Sequence, residues 1–337
     1  MEEKKTVSTA LVLQFLNDFE GKEYDELYRL LAGRLSEDDR DELNGSKLPS
    51  LSSDIIAKKI FDPSEHKGRL EYLLRGIIGD QKIQIESGAL QEGYIHSSSS
   101  KKIIMDIPSN LVDGRFVDTE VQQLAQEFIL QRGDIYSSNM LLIQYSSAAD
   151  QSKGEIDYQN VKGTILICLM KKSSKTFLEY ESDRYIHRFA ARTADSGLEY
   201  KTLGTIIYVQ LDKCLEQLKN GINGESDDFL QLLLSMMADI NDRTVQDKAA
   251  ESEVTRSIVS EIKELIQNKE VQKMLLAEKY AEADFNSTMH EREKKAKDEG
   301  QTLLVSAIQR LRAGETRETL LSEGYDNKTI ELAYACR

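Results

Sequence analysis

Proline occurs three times in this chain of 337 residues, and so does cysteine. Few prolines leave long stretches free to be helical, because proline removes a donor and clashes with the preceding turn. Cys168, Cys214 and Cys336 are scattered, form no CxxC pair and are odd in number. That excludes a fully paired disulfide framework and fits a reducing cytoplasm. Long apolar runs are missing as well. The longest, around Thr164–Met170, falls far short of the ~20 residues a membrane-crossing helix needs. The MEEKK start has neither a basic n-region nor an apolar h-region. A cytoplasmic location with no membrane association is expected. The four histidines show no metal-ligand spacing, and His187, in an apparent strand, reads as structural rather than as a base. There is no phosphate loop, dinucleotide glycine pattern or nucleophile elbow. Nor is there an excess of positive charge. A formal net charge of -14 argues against a generic nucleic-acid coat protein. It leaves a nuclease open, since acids on distal helices are compatible with a local basic surface and a bound cation at the phosphate.

Charged residues make up 30% of the chain and apolar ones 40%, which suits a helix-rich protein of two or three units. Residues 1–50 read as a helical extension, with apolar residues at helical spacing over 6–19 and 24–35. Ser53 or Asp54 is placed to cap a helix opening IIAKKIF, and a second helix over Lys67–Ile78 carries Leu70, Leu73, Leu74 and Ile77 on one stripe. Ile83–Ile85 is a candidate strand start, and Ser97–Ser100 a loop. After Gln122 the pattern turns helical to about Tyr145. Strands are expected over 163–170, where unbroken apolarity implies burial on both faces, and over 185–190 and 205–211. From 225 to 300 the chain reads as a charged helical arm ending before Gly300. Three short helices then form a tail over 301–337, a helix-turn-helix-like bundle without a basic stripe.

The stretch KKIIMDIPSNLVDGRFVDTEVQQ (101–123) holds the chemistry. It reads as two strands around an Asp113-Gly114 turn. Alternation puts Phe116, Asp118, Glu120 and Gln122 on one face, with Val117, Thr119 and Val121 on the other. A two-residue loop pairs Asp106 with Val121 and turns it away from Glu120. A three-residue loop, Val112–Gly114, with the glycine in the left-handed position of a bulge, pairs Asp106 with Glu120 instead. Opposed residues share a face with Cβ atoms about 5 Å apart, close enough for two carboxylates to hold one divalent cation. Pro108 cannot donate to the ladder, so an irregularity there would shift the register.

These segments together resemble the PD-(D/E)XK nuclease family transposases. DIIAKKIF (54–61) is similar to the family's opening D-x-x-F-K-x-x-F helix, with Ala57 where the aromatic stands. LEYLLRGIIG (70–79) is similar to the next helix, and 101–122 to its strand-acid, turn, E-x-Q signature, with Met105 in place of proline. Arg132 and Tyr136 fall where the following helix carries a basic residue and an aromatic. YQNVKGTILICLM, YIHRFAAR and TLGTIIYVQLDK resemble the later strands. The resemblance implies an α/β, restriction-endonuclease-like mixed sheet flanked by helices over 51–220, cutting DNA with Mg²⁺ or Mn²⁺. Asp106 and Glu120 would be the metal ligands, the Val121 carbonyl a third oxygen, and Asp54 an extra acid unless it only caps its helix. Gln122 stands where the motif has lysine and would orient a water through its amide. The cation would lower the pKa of water and offset charge on the phosphate. The alternative is a catalytically silent member assembling through its helical arm, which is also the expected route to a homo-oligomer.

Overall fold

The computed structural model describes residues 21–86, 94–95, 103–104, 106–123, 128–151, 158–223 and 226–335. The helix expected over 6–19, the loop at 97–100, Lys101 and Met105 lie outside them. The chain runs through α1 (Tyr24–Leu31) and α2 (Glu37–Asn44), which bury Leu27, Leu31 and Leu43. Next come α3 (Asp54–Ile60) and α4 (Pro63–Ile78). Pro63 is tolerated because the first turn of a helix has no partner for its missing N–H. Among the described residues an isolated bridge, Ile85 to Leu111, forms where a strand was expected to begin at 83–85.

Two short strands, β1 (Tyr94–Ile95) and β2 (Ile103–Ile104), pair with each other. The main sheet is built from β3 (Ile107–Asn110) and β4 (Phe116–Gln122), then, after α5 (Ile129–Gln151), β5 (Thr164–Met170). Helix α6 (Lys175–Glu179), β6 (Ile186–Arg188) and a small hairpin of β7 (Ala191–Arg192) and β8 (Glu199–Tyr200) precede β9 (Gly204–Gln210) and α7 (Leu211–Lys219). The five-stranded order is β3-β4-β5-β9-β6. Strands β4, β5 and β9 are parallel, and β3 and β6 join antiparallel at the edges. This is the mixed sheet flanked by helices expected from the sequence. Strand β5 sits in the middle with all seven residues buried, as its unbroken apolar run requires.

One face of the sheet packs on α5. Ile129 and Met140 of α5 meet Leu166, Cys168 and Met170 of β5, Tyr208 of β9 and Phe177 of α6. The approach is close. A Cβ on Gly133 would stand 2.1 Å from the Tyr208 hydroxyl, so only glycine lets α5 lie on the sheet at this point. His187, packed against Phe177 and bonded to Gln210 at 2.8 Å, belongs to the same structural network.

The chain continues through α8 (Asp228–Ala238), α9 (Arg243–Ala249), α10 (Glu253–Leu265), α11 (Lys269–Arg312), α12 (Arg317–Ser322) and α13 (Asn327–Ala335). The contacts divide it into two compact units with a boundary between Glu278 and Lys279. Residues 225–278, expected as the start of a solvated arm, lie in the unit that holds the sheet. The physical reason is apolarity all round α8, which is buried from Leu230 through Ala238. On α10, Glu261 holds Arg69 at 2.6 Å and His66 at 2.7 Å on α4. The second unit has its own small core of Ala307, Leu311, Leu320, Ile330 and Ala333. Gly300 does not end a helix: α11 runs through it for 44 residues. An internal glycine costs only about 1 kcal/mol, less than strong helix formers on both sides supply. Among the described residues no helix is long and apolar enough to cross a membrane.

Candidate active site

The β3–β4 turn sets the geometry. Leu111 N–H donates to Arg115 O at 2.8 Å, so the loop is Val112–Gly114, three residues long. Gly114 takes φ +86°, the left-handed position that a bulge of this kind needs. Ile107 consequently pairs with Thr119, and Pro108 with Asp118. Continued by one step, this register sets Asp106 opposite Glu120. Asp106 does not lie inside a strand, as the sequence had implied, but one residue before β3. Its Oδ2 accepts the N–H of Val121 at 2.9 Å, taking a donor on the edge of β4 where β3 has ended. Pro108 sits at this sheet edge, where a missing donor is harmless, and the register passes it undisturbed.

The even-numbered residues of β4 face α5. Glu120 and Gln122 line a small cleft with Ile129, Arg132, Gly133 and Tyr136 of α5 and Leu166 and Cys168 of β5. Arg132 reaches Glu120 Oε2 at 3.4 Å and donates to the Tyr136 hydroxyl at 2.9 Å. Gln122 Nε2 donates to the same Glu120 oxygen at 3.4 Å. The other oxygen, Oε1, is buried without a hydrogen-bond partner. Val121 turns its backbone N–H to the Asp106 edge, whereas Phe116 N–H donates to Gly163 O and Gln122 O accepts from Lys171 N–H on the β5 side.

Asp54 opens α3, and its carboxylate pairs with Lys58 one turn on at 3.0 Å. It does not cap the helix. Glu278 does so from far along the chain, accepting Asp54 N–H at 2.9 Å and the Ser53 hydroxyl at 2.6 Å. The start of α3 is tied to the end of β4 by the Gln123 amide on Ser52 O, and Lys171 donates to Ser50 Oγ at 2.9 Å. This brings Asp54 and Lys58 within electrostatic reach of Asp106.

Crowding of acids dominates the electrostatics. Burial, then Glu120 and Asp54, hold the Asp106 carboxyl well above the usual range, with the Val121 amide and Lys58 pulling the other way. Burial and Asp118 raise Glu120, against Arg132. Burial and Asp106 push Asp118 up to about 8. Like charges brought together out of water favour the protonated acid or a bound cation. The donor set is all oxygen, which fits a hard divalent ion such as Mg²⁺ or Mn²⁺. The unpartnered oxygens of Glu120 and Asp118 fit the same conclusion. As arranged, no group of three or more His, Cys, Asp or Glu side chains among the described residues is ready to hold a metal.

Of the residues singled out from sequence, Asp106, Glu120, Gln122, Arg132 and Tyr136 stand in one neighbourhood, with Asp54 at its rim. Sequence reasoning gave no role to Lys58, Asp118 or Cys168. Lys58 is signalled by its i, i+4 spacing from Asp54, and Asp118 by sharing the Glu120 face. Cys168 lies opposite Glu120 only through the parallel register of β5, which leaves no mark in the sequence.

A family model described as PD-(D/E)XK nuclease family transposase matches residues 51–292. No match was found among curated proteins or among solved structures. The matched span takes in α3, the β3–β4 hairpin, the whole sheet and the helices through α10 and into α11, more than half of the chain. The chain therefore belongs to the PD-(D/E)XK nuclease family transposases.

Proposed function

We propose that this protein is a cytoplasmic DNA endonuclease that hydrolyses phosphodiester bonds with Mg²⁺ or Mn²⁺, acting in the mobilisation or recombination of DNA. The observation that supports the reading is the three-residue Val112–Gly114 loop, whose register, continued one step past Ile107 and Thr119, brings Asp106 opposite Glu120, with a Glu120 oxygen left unpartnered. In this reading Asp106, Glu120 and the Val121 carbonyl hold the cation. When bound, the ion supplies Lewis acidity toward a phosphoryl oxygen and makes water a better nucleophile at neutral pH. Arg132 and the Gln122 amide fix the orientation of Glu120 by holding Oε2, leaving Oε1 for the cation. Gln122 brings no positive charge, so Lys58, on α3 beside Asp54, supplies the ammonium that faces the phosphate. Lys171, whose backbone N–H donates to Gln122 O while its ammonium reaches Ser50 Oγ at 2.9 Å, adds a second cation just past β5. A local basic rim of this kind reconciles an acidic chain with a DNA substrate.

A second reading, a silent nuclease fold serving protein assembly, draws on a different observation. In the C-terminal unit Leu303, Val305, Leu321 and Leu332 are exposed, a surface suited to self-association. Incubation of the full chain with supercoiled plasmid, in Mg²⁺ and in chelator, separates the two. Nicked or linear product in Mg²⁺ alone supports the nuclease; intact plasmid under both conditions, from a protein that sediments as an oligomer, supports assembly.

A further inference from the structure

Among the described residues, Asp118 is a poorly accommodated side chain. It is 0% exposed, and neither carboxylate oxygen has a hydrogen-bond partner. An acid in that position is costly in the absence of a counter-charge. The core packing does not require it, because the neighbouring positions on this face of β5, Leu166 and Cys168, are apolar. The Glu120 side chain, the Ile107 amide and the Lys58 ammonium offset the charge in part, but none meets strict hydrogen-bond geometry with it.

Its place in the sheet gives the reason. Asp118 and Glu120 are two residues apart on β4 and point to the same face. Asp118 stands opposite Pro108, so its diagonal neighbour across the hairpin is Asp106. Directly opposed positions on an antiparallel pair lie about 5 Å apart and diagonal ones about 7–8 Å. The three carboxylates therefore share one patch. Without a cation, acids crowded in this way are favoured in their protonated form, and the Asp118 and Glu120 side chains already interact.

We propose that Asp118 is a third carboxylate ligand of the metal centre, turning toward Asp106 and Glu120 when a divalent cation enters. This rests on the nuclease reading, whose ligands are Asp106 and Glu120, and adds to it an acid that the hairpin motif alone does not select. Three carboxylates give the site a charge of -3, more than one divalent ion neutralises. The Lys58 ammonium completes the balance. Such a site binds Mn²⁺ more tightly than a two-carboxylate site does, since affinity for hard cations follows the number of charged ligands.

The test is calorimetric titration of Mn²⁺ into the full chain and into Asp118→Asn, Asp106→Asn and Glu120→Gln, with thermal melting of each protein without metal. The proposal expects Asp118→Asn to bind Mn²⁺ at least roughly tenfold more weakly than the parent, while its metal-free melting temperature rises. Mn²⁺ affinity within twofold of the parent in Asp118→Asn, with affinity lost in Asp106→Asn and Glu120→Gln, overturns this proposal and leaves the nuclease reading standing. A parent that binds no Mn²⁺ overturns both. An Asp118→Asn chain without a cooperative melting transition also overturns it, because the acid would then be needed for folding rather than for the cation.

Discussion

Asp106, one residue before β3, accepts the N–H of Val121 at 2.9 Å and lies within electrostatic reach of Glu120. One carboxylate thus ends the β3 edge and faces the acid of the neighbouring strand. That relationship depends on the length of the loop between them, and the length is open to experiment.

Deleting one residue of Val112–Gly114 shifts the register by one and carries Asp106 to the opposite face. The variant is expected to fold but to lose Mn²⁺-induced stabilisation, measured as a melting shift. Gly114→Val is the milder form of the same test. Its φ of +86° and a Cβ 3.0 Å from Lys162 predict a loss of about 1–3 kcal/mol in denaturant unfolding.

Acid crowding predicts how stability follows pH. Asp118 is raised from its ordinary value to about 8 in the folded chain. Between those two values the folded state binds the proton and the unfolded state does not, so stability falls as pH rises. The contribution of this group is fully present below about pH 4 and is lost as pH rises toward about 8, so metal-free protein is expected to weaken by several kcal/mol across that window. Saturating Mg²⁺ should flatten the profile, and chemical denaturation at stepped pH with and without the ion measures both.

Arg132 is the cation that β4 leans on, bound to Glu120 at 3.4 Å and to Tyr136 at 2.9 Å. Arg132→Met leaves Glu120 buried with only acids and a weak amide contact. A destabilisation of about 1–3 kcal/mol is expected, larger at pH 8 than at pH 5. Paired unfolding curves at the two pH values check the direction.

Lys58 and Gln122 allow a charge to be moved within the site. If Lys58 supplies the ammonium that Gln122 lacks, Lys58→Met should lower turnover by roughly 100-fold with little effect on DNA affinity in Ca²⁺. Adding Gln122→Lys should restore part of it. A double variant no faster than Lys58→Met shows that the ammonium is not interchangeable between these positions.

Much of this was legible from residue pattern. The alternation in FVDTEVQ assigns the faces of β4, and Val-Asp-Gly with its glycine third specifies the loop. The run TILICLM announces a strand buried on both sides, and β5 is one. What stayed hidden depends on contacts between distant parts of the chain. Glu278 caps α3 from 224 residues away, so Asp54 looked like its own cap. Cys168 meets Glu120 only once β5 has paired in parallel. Gly300, read as a stop, was outweighed by the helix formers around it.

The central claim is that Asp106 and Glu120 form one metal-dependent cutting centre. Supercoiled plasmid in Mg²⁺, incubated with the parent chain, Asp106→Ala and Glu120→Ala, each purified identically, tests it most directly. The account predicts nicking by the parent, stopped by chelator, and no detectable product from either variant. Cleavage that persists undiminished in both variants would place the chemistry elsewhere in the molecule.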